Sequence, residues 1–454
     1  MKRAALALAV AGLALGGCGI LGSREKPKTP TVGERIPVLT SETGVEVDPA
    51  LADIEVSLPG PATNDSWTQP GGNAAKSMGH VGLPRSLSRA WNVSIGSGSS
   101  IRMRLAAGPV VGDGRIYTID SRAVVRAFDA RTGSELWRRE VGSEEARRGG
   151  TNFLSGEYTG NVALLFGGGV SFDGGRVYAT SGLGDVSAFN AETGEEVWRV
   201  RPGGPLRGAP TIANDNVYVL SSDNQLYALN PADGKTRWNG AGSVELAGVL
   251  GVASPAAAQG TVVAGFSSGE LTAYRYENGR VVWQDALART SISTAVASLS
   301  DIDAEPVIDA GRVYAIGQGG RMVALELNTG QRLWELNVAG IATPWVAGEW
   351  VFVVTDDARL LAIARSTGKV RWISQLRRWR DEEDKKGPIR WIGPMLAGER
   401  LVLVSSDGRI ANVSPADGSV QSMQETDMTV SVAPIIANDT LYILNDKGDL
   451  SAWR

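Results

Sequence analysis

The chain has 454 residues, among them 57 Gly, 13 Trp, a single Cys and a single His, and its formal net charge is -4. That balance supplies no broad positive field, which excludes the electrostatic footprint of a nucleic-acid binder. The single Cys excludes a disulfide within the chain. The length suits either several ordinary domains or one large repeat array, so internal repetition has to decide.

Residues 1–17 read as a signal peptide. Lys2 and Arg3 form a positive start, and Ala4 to Leu15 form an apolar stretch too short to span a bilayer. The following Leu15-Gly16-Gly17-Cys18 resembles the bacterial lipobox. The resemblance implies that Cys18 becomes a lipidated N-terminus, anchored more firmly than one acyl chain allows. Gly19 in place of Asp implies, in the same resemblance, sorting to the outer membrane. Residues 18–65 carry Pro27, Pro30, Pro37, Pro49, Pro59 and Pro61 among polar and small residues, and they predict a flexible tether with a reach of about 40 Å. Residues 66–86 form an entry segment, in which His80 reads as a solvated linker residue.

The repeat occupies 87–454. Ala127-Phe128-Asp129-Ala130-Arg131-Thr132-Gly133 precedes Trp137, and Ala188-Phe189-Asn190-Ala191-Glu192-Thr193-Gly194 precedes Trp198 at the same spacing. Gly234 with Trp238, Gly279 with Trp283, Gly330 with Trp334 and Gly368 with Trp372 repeat it, while Gly418 is followed by Ser422. Upstream, Pro109 leads to Tyr117, Pro210 to Tyr218 and Pro306 to Tyr314. Each module holds four short alternating strands separated by turn residues, which is the pattern of a propeller blade. Seven modules are whole. The eighth is split: Pro434 to Arg454 supplies three strands, and Leu87 to Trp91 supplies the fourth from the other end of the chain. The predicted fold is all-β, an eight-bladed β-propeller of four-stranded antiparallel blades, closed by N- and C-terminal strands that share one blade.

Within each module the Gly fits a left-handed turn position. The aromatic residues Trp91, Trp137, Trp198, Trp238, Trp283, Trp334 and Trp372 are expected to dock neighbouring blades, each indole N–H donating to a turn next door. All length variation falls in the connections from one blade to the next, which emerge on one face, where a rigid scaffold presents binding residues. Asp301, Asp303, Val249 and Leu250 lie in those connections. So does the charged stretch 377–386, read as a solvated, partly self-neutralising loop with docking of another component as the sharper alternative.

These Ala-x-Asp-x-x-Thr-Gly-x-x-x-Trp units resemble the repeats of pyrroloquinoline-quinone-type propellers. That group includes the quinoprotein dehydrogenases and the BamB family of outer-membrane assembly lipoproteins. The dehydrogenase resemblance implies a quinone, a calcium site and, in many members, a Cys pair. The sequence shows neither a calcium-loop spacing nor a Cys pair, so no cofactor, no metal and no catalytic residues are expected. Leu299-Ser300-Asp301-Ile302-Asp303-Ala304-Glu305-Pro306 is similar to the acidic Leu-Ser-Asp-Val-Asp segment of the BamB family. That resemblance implies a scaffold lipoprotein at the periplasmic face of the outer membrane. It implies that Asp301 and Asp303, as exposed acceptors, bind the periplasmic domains of a BamA-like barrel protein. Whether nascent outer-membrane proteins are also contacted stays open. The family's second contact, Leu-x-Leu-Arg, falls on Ala247-Gly248-Val249-Leu250, which has no Arg. A quinoprotein dehydrogenase, or another periplasmic binding protein with such repeats, is the alternative reading.

Overall fold

The computed structural model describes residues 45–100, 103–142, 166–243, 253–287 and 301–454. Apart from one short 3-10 turn, Pro49–Leu51, the regular elements of these residues are strands. They form eight four-stranded antiparallel sheets and one two-stranded hairpin. Seven sheets are sequential: blade 1 (110–140), blade 2 (168–200), blade 3 (211–241), blade 4 (256–286), blade 5 (307–336), blade 6 (345–375) and blade 7 (391–425). Blade 8 is composite. Its inner three strands lie within 435–453, and its outer strand is Arg89–Ser94.

The apolar pattern explains the order within a blade. Second strands such as Asn216–Leu220 and Trp350–Val354 are buried at every position because both faces meet neighbouring blades. Outer strands such as Glu135–Glu140 bury one residue, here Trp137. Register then aligns the repeated residues across each sheet: Tyr117 pairs with Ala127, and Ala127 with Trp137. Blade 3 repeats this with Tyr218, Ala228 and Trp238. Alanine leaves room between the two rings, whose centroids come to 6.0 Å for Tyr117 and Trp137 and 5.8 Å for Tyr218 and Trp238.

The repeat's Gly and Trp meet across the boundary between blades. Gly194 has φ of 69°, and a Cβ built on it would stand 2.7 Å from the Trp137 ring of the preceding blade. Gly is thus required twice at this turn, for its backbone conformation and for space. The Trp137 indole donates to the carbonyl of Ala191 in the same turn at 3.0 Å. Trp198, Trp238, Trp283, Trp334 and Trp372 donate in the same way to Pro231, Tyr276, Leu327, Arg365 and Pro415.

Trp91 differs. It sits in the corresponding register, opposite Ala452, and packs on Gly133 and near Tyr442. Its Nε1 has no hydrogen-bond partner. The carbonyl that would receive it, that of Ala130, instead accepts the Tyr442 hydroxyl at 3.3 Å and the Arg454 guanidinium at 3.1 Å.

The larger departure from the sequence reading concerns the N-terminal segment. The tether expected over 18–65 does not extend to residue 65, because the chain is fixed to the ring from Val45 onward. Val45 packs beside blades 5 and 6, Val47 bridges Val370, and Asp48 pairs with Lys369 at 2.8 Å. Residues 62–83, spanning the end of that tether and most of the entry segment, then run along the inner strands and touch every blade. Asn64 bonds to Ile436 and Asn438 of blade 8, and Trp67 forms a two-bond bridge with Val111 of blade 1. Thr68 accepts from Phe172 of blade 2, and the Gln69 amide pairs with the backbone of Ile212 in blade 3. Ala74 and Ala75 accept from Ala257 and Ile308 of blades 4 and 5. Gly79 accepts the Trp345 indole of blade 6, and Val81 pairs between Leu396 and Gly398 of blade 7. The inner strands leave backbone groups that require partners, and a polar segment supplies them without an apolar stripe of its own.

His80 is correspondingly not a solvated linker residue. It is buried, its Nε2 accepts from the Glu399 backbone at 2.9 Å, and its Nδ1 lies 2.7 Å from the Pro59 carbonyl. The Glu399 N–H requires a bare Nε2, so the proton sits on Nδ1 and is donated to Pro59.

Candidate partner-binding site

Asp301–Glu305 ends the connection from blade 4 to blade 5. Alternation divides it: Ile302 and Ala304 are buried in apolar clusters, and the three acidic side chains take the intervening positions. Ile302 packs against Gly265, where a Cβ would lie 2.5 Å from its side chain, and its N–H donates to Phe266. The Asp301 carbonyl accepts from Gln318 at 3.0 Å. The connection is therefore fastened to both blades by its backbone before its carboxylates are considered.

Those carboxylates are not the exposed acceptors that the family resemblance implies. Asp301 is 0% exposed, and the Asp303 side chain is 8% exposed. Arg207, from the connection between blades 2 and 3, reaches Asp303 at 3.2 Å and Asp301 at 4.0 Å. Gln318 donates to the second Asp303 oxygen at 3.0 Å. Burial pushes the Asp303 carboxyl up to about 6 against the opposing pull of Arg207, and the charges of Asp301 and Asp356 add to the rise. Burial likewise lowers the pKa of Arg207, while Asp303 and Asp301 raise it. Arg207 thus stands against two carboxylates in a poorly solvated place, so the site is a cluster of paired charges rather than an exposed acidic patch.

Glu305, at the end of the same segment, faces Lys76 of the N-terminal segment. Burial raises the pKa of Glu305 and lowers that of Lys76 to about 8, each acting to moderate the other's shift. Neither Arg207 nor Lys76 is singled out by the sequence reading. Arg207 was findable as a basic residue in a connection on the same face, whereas nothing in the sequence around Lys76 marks it as buried.

Val249, Leu250, Leu299, Ser300 and Cys18 lie outside the described residues. The charged stretch 377–386 falls largely in the two-stranded hairpin of Trp379–Asp381 and Lys386–Pro388. Several of its charges are met internally: Arg378 lies over the Trp379 ring, Glu382 accepts from the Arg378 and Trp379 backbone, and Lys386 pairs with Asp384 at 2.6 Å. Among the described residues, no group of three His, Cys, Asp or Glu side chains is placed to hold a metal ion.

Comparison with known proteins agrees with the repeat. A family model described as outer membrane protein assembly factor BamB matches residues 84–150 and 121–374. Curated relatives include outer membrane protein assembly factor BamB of Yersinia pestis, 27% identical over 80% of this chain and 88% of that protein. The protein of the same name from Escherichia coli is 28% identical over 78% of this chain and 85% of its own length. Among solved structures, BamB from Moraxella catarrhalis superposes with a TM-score of 0.65 at 19% identity, covering 81% of this chain and 100% of that one. A europium-containing methanol dehydrogenase superposes at 0.64 with 14% identity, covering 84% of this chain and 89% of that one. At such identities the superpositions speak for the propeller fold alone.

Proposed function

Because the chain belongs to the family of the outer membrane protein assembly factor BamB, we propose that it works as a lipid-anchored scaffold that binds the periplasmic domains of a BamA-like barrel protein. It serves outer-membrane protein assembly and is not an enzyme. The observation that carries the reading is the match of the family model over most of the propeller, with the acidic connection Asp301–Glu305 inside it. Cys18 provides the anchor at the periplasmic face of the outer membrane. Val249 and Leu250, one connection earlier, contribute the apolar part of the contact.

Burial of Asp301 and Asp303 alters how they serve that contact. Arg207 and Gln318 hold the two carboxylates, so the pair acts by fixing the shape of the connection and by the small edge of Asp303 that reaches solvent. The test is titration calorimetry of the Asp303→Asn and Val249→Asp variants against the partner's periplasmic fragment, with a melting curve for each. Weakened binding by folded variants supports the reading. Undiminished affinity in both would overturn the assignment of this face.

A further inference from the structure

We propose that residues 62–83 act as a clasp that locks the ring of blades and closes the end of its axis where the first two strands of each blade turn. A propeller whose closure rested on Arg89–Ser94 alone would be joined at one place, inside blade 8, where that strand pairs with Asp449–Trp453. The clasp adds a second closure of a different kind, because it meets the blades in ring order, from blade 8 through blade 7, within a single short stretch. Separation of any two neighbouring blades must therefore break its contacts as well as the interface between them.

The position of the clasp follows from its side-chain partners. Thr63 bonds to Asp439, Ser77 to Asp309, and His80 to Glu399, all at turns between first and second strands. Gln69, Lys76, His80 and Val81 are each less than 10% exposed, so the segment fills the place it occupies. Lys76 is its central contact. The residue adopts φ of 63°, donates to the Thr211 hydroxyl at 3.2 Å in blade 3, and has the partly buried Glu305, ahead of blade 5, as its opposite charge. A lysine buried at this depth is tolerated because it donates to Thr211 and has a partly buried carboxylate nearby, and removing that carboxylate leaves the amine without its opposite charge.

Hydrogen exchange on the intact mature protein gives the direct test. The amides of Phe172, Ala257 and Ile308 sit on inner strands and donate to the clasp, so they should exchange as slowly as amides paired within blades. Rapid exchange at these positions, with slow exchange in the second strands, would overturn the clasp. Lys76→Met, Glu305→Gln and the double variant give an independent measure by thermal melting. Each single substitution should lower the melting temperature, and the double should recover most of the loss. Unchanged melting in both single variants would also overturn the proposal.

Discussion

Asp303 and Arg207, 96 residues apart in sequence, meet at 3.2 Å, the one entering blade 5 and the other entering blade 3. Their contact makes the acidic connection a structural element as well as a candidate surface. Arg207→Met should cost about 3 to 5 kcal/mol, because it removes the guanidinium that lies against two poorly solvated carboxylates. Asp303→Asn should cost less, since the amide keeps a hydrogen-bonding oxygen and relieves the repulsion with Asp301. Reversing both aspartates to Lys would place three cations together and should lower stability more than either. Urea denaturation of the four proteins ranks them; equal stability of Arg207→Met and the parent would contradict the buried pairing.

The same carboxyl gives a pH dependence. Its folded pKa, about 6, lies above its ordinary value of 3.8, so between those values the folded state binds more protons than the unfolded chain. The stability from this group is fully present below about pH 4 and is lost as pH rises through about 6. The difference in melting temperature between the parent and Asp303→Asn should therefore drift in favour of the variant between pH 4.5 and 7. A difference independent of pH over that range would show that Asp303 titrates normally.

Across a standard blade boundary, Trp238 donates to Tyr276 and its ring occupies the space that Gly279 leaves. Trp238→Phe should lose about 0.5 to 1.5 kcal/mol for the missing hydrogen bond, with a further packing loss from the smaller ring. Gly279→Ala should also destabilise, since its Cβ would stand 2.5 Å from the Trp238 ring at φ of 69°. The two substitutions act on one contact, so their combined effect on the denaturation midpoint should fall short of the sum of the separate effects.

Why the blades were legible and the clasp was not is a matter of period. Strand, turn and docking tryptophan recur at fixed spacing, and a repeated residue such as Gly194 is constrained by both its backbone and its neighbour, so the pattern survives in a single sequence. Residues 62–83 contact each blade through a different group, here a carbonyl, there a Gln amide or an Asn side chain, which leaves no period to detect. Their Pro-rich, polar surroundings imitate a linker. The burial of Asp301 was hidden for a related reason: its counter-charge, Arg207, comes from a distant connection that only ring closure brings near.

The anchor makes a separate prediction. Metabolic labelling with a fatty-acid analogue should mark the protein and leave it in the membrane fraction. Cys18→Ala should remove the label and release the protein from membranes. Label that persists undiminished in Cys18→Ala would place the acylation elsewhere.

The last prediction concerns the seam between blades 8 and 1, where the usual tryptophan hydrogen bond is absent. The Ala130 carbonyl already accepts from Tyr442 and Arg454, and the Trp91 indole N–H is left without a partner. Arg454 also exchanges backbone hydrogen bonds with Ser88, donates through Nε to Thr440, and reaches the Arg131 carbonyl at 3.3 Å. Its guanidinium therefore does at this seam what the indole does at six of the others. Trp91→Phe should accordingly cost less than Trp238→Phe, because it removes packing but no hydrogen bond and relieves an unsatisfied buried donor. Arg454→Met should cost more than Trp91→Phe, since it takes away a charged donor to the Ala130 and Arg131 carbonyls and to Thr440 while keeping much of the apolar stem. Lysine at 454 should restore little, because a point charge cannot serve Ala130, Arg131 and Thr440 with the fork of a guanidinium. Melting temperatures of Trp91→Phe, Trp238→Phe, Arg454→Met and Arg454→Lys decide the matter, and a Trp91→Phe loss as large as that of Trp238→Phe would show that the indole N–H is bonded at this seam after all.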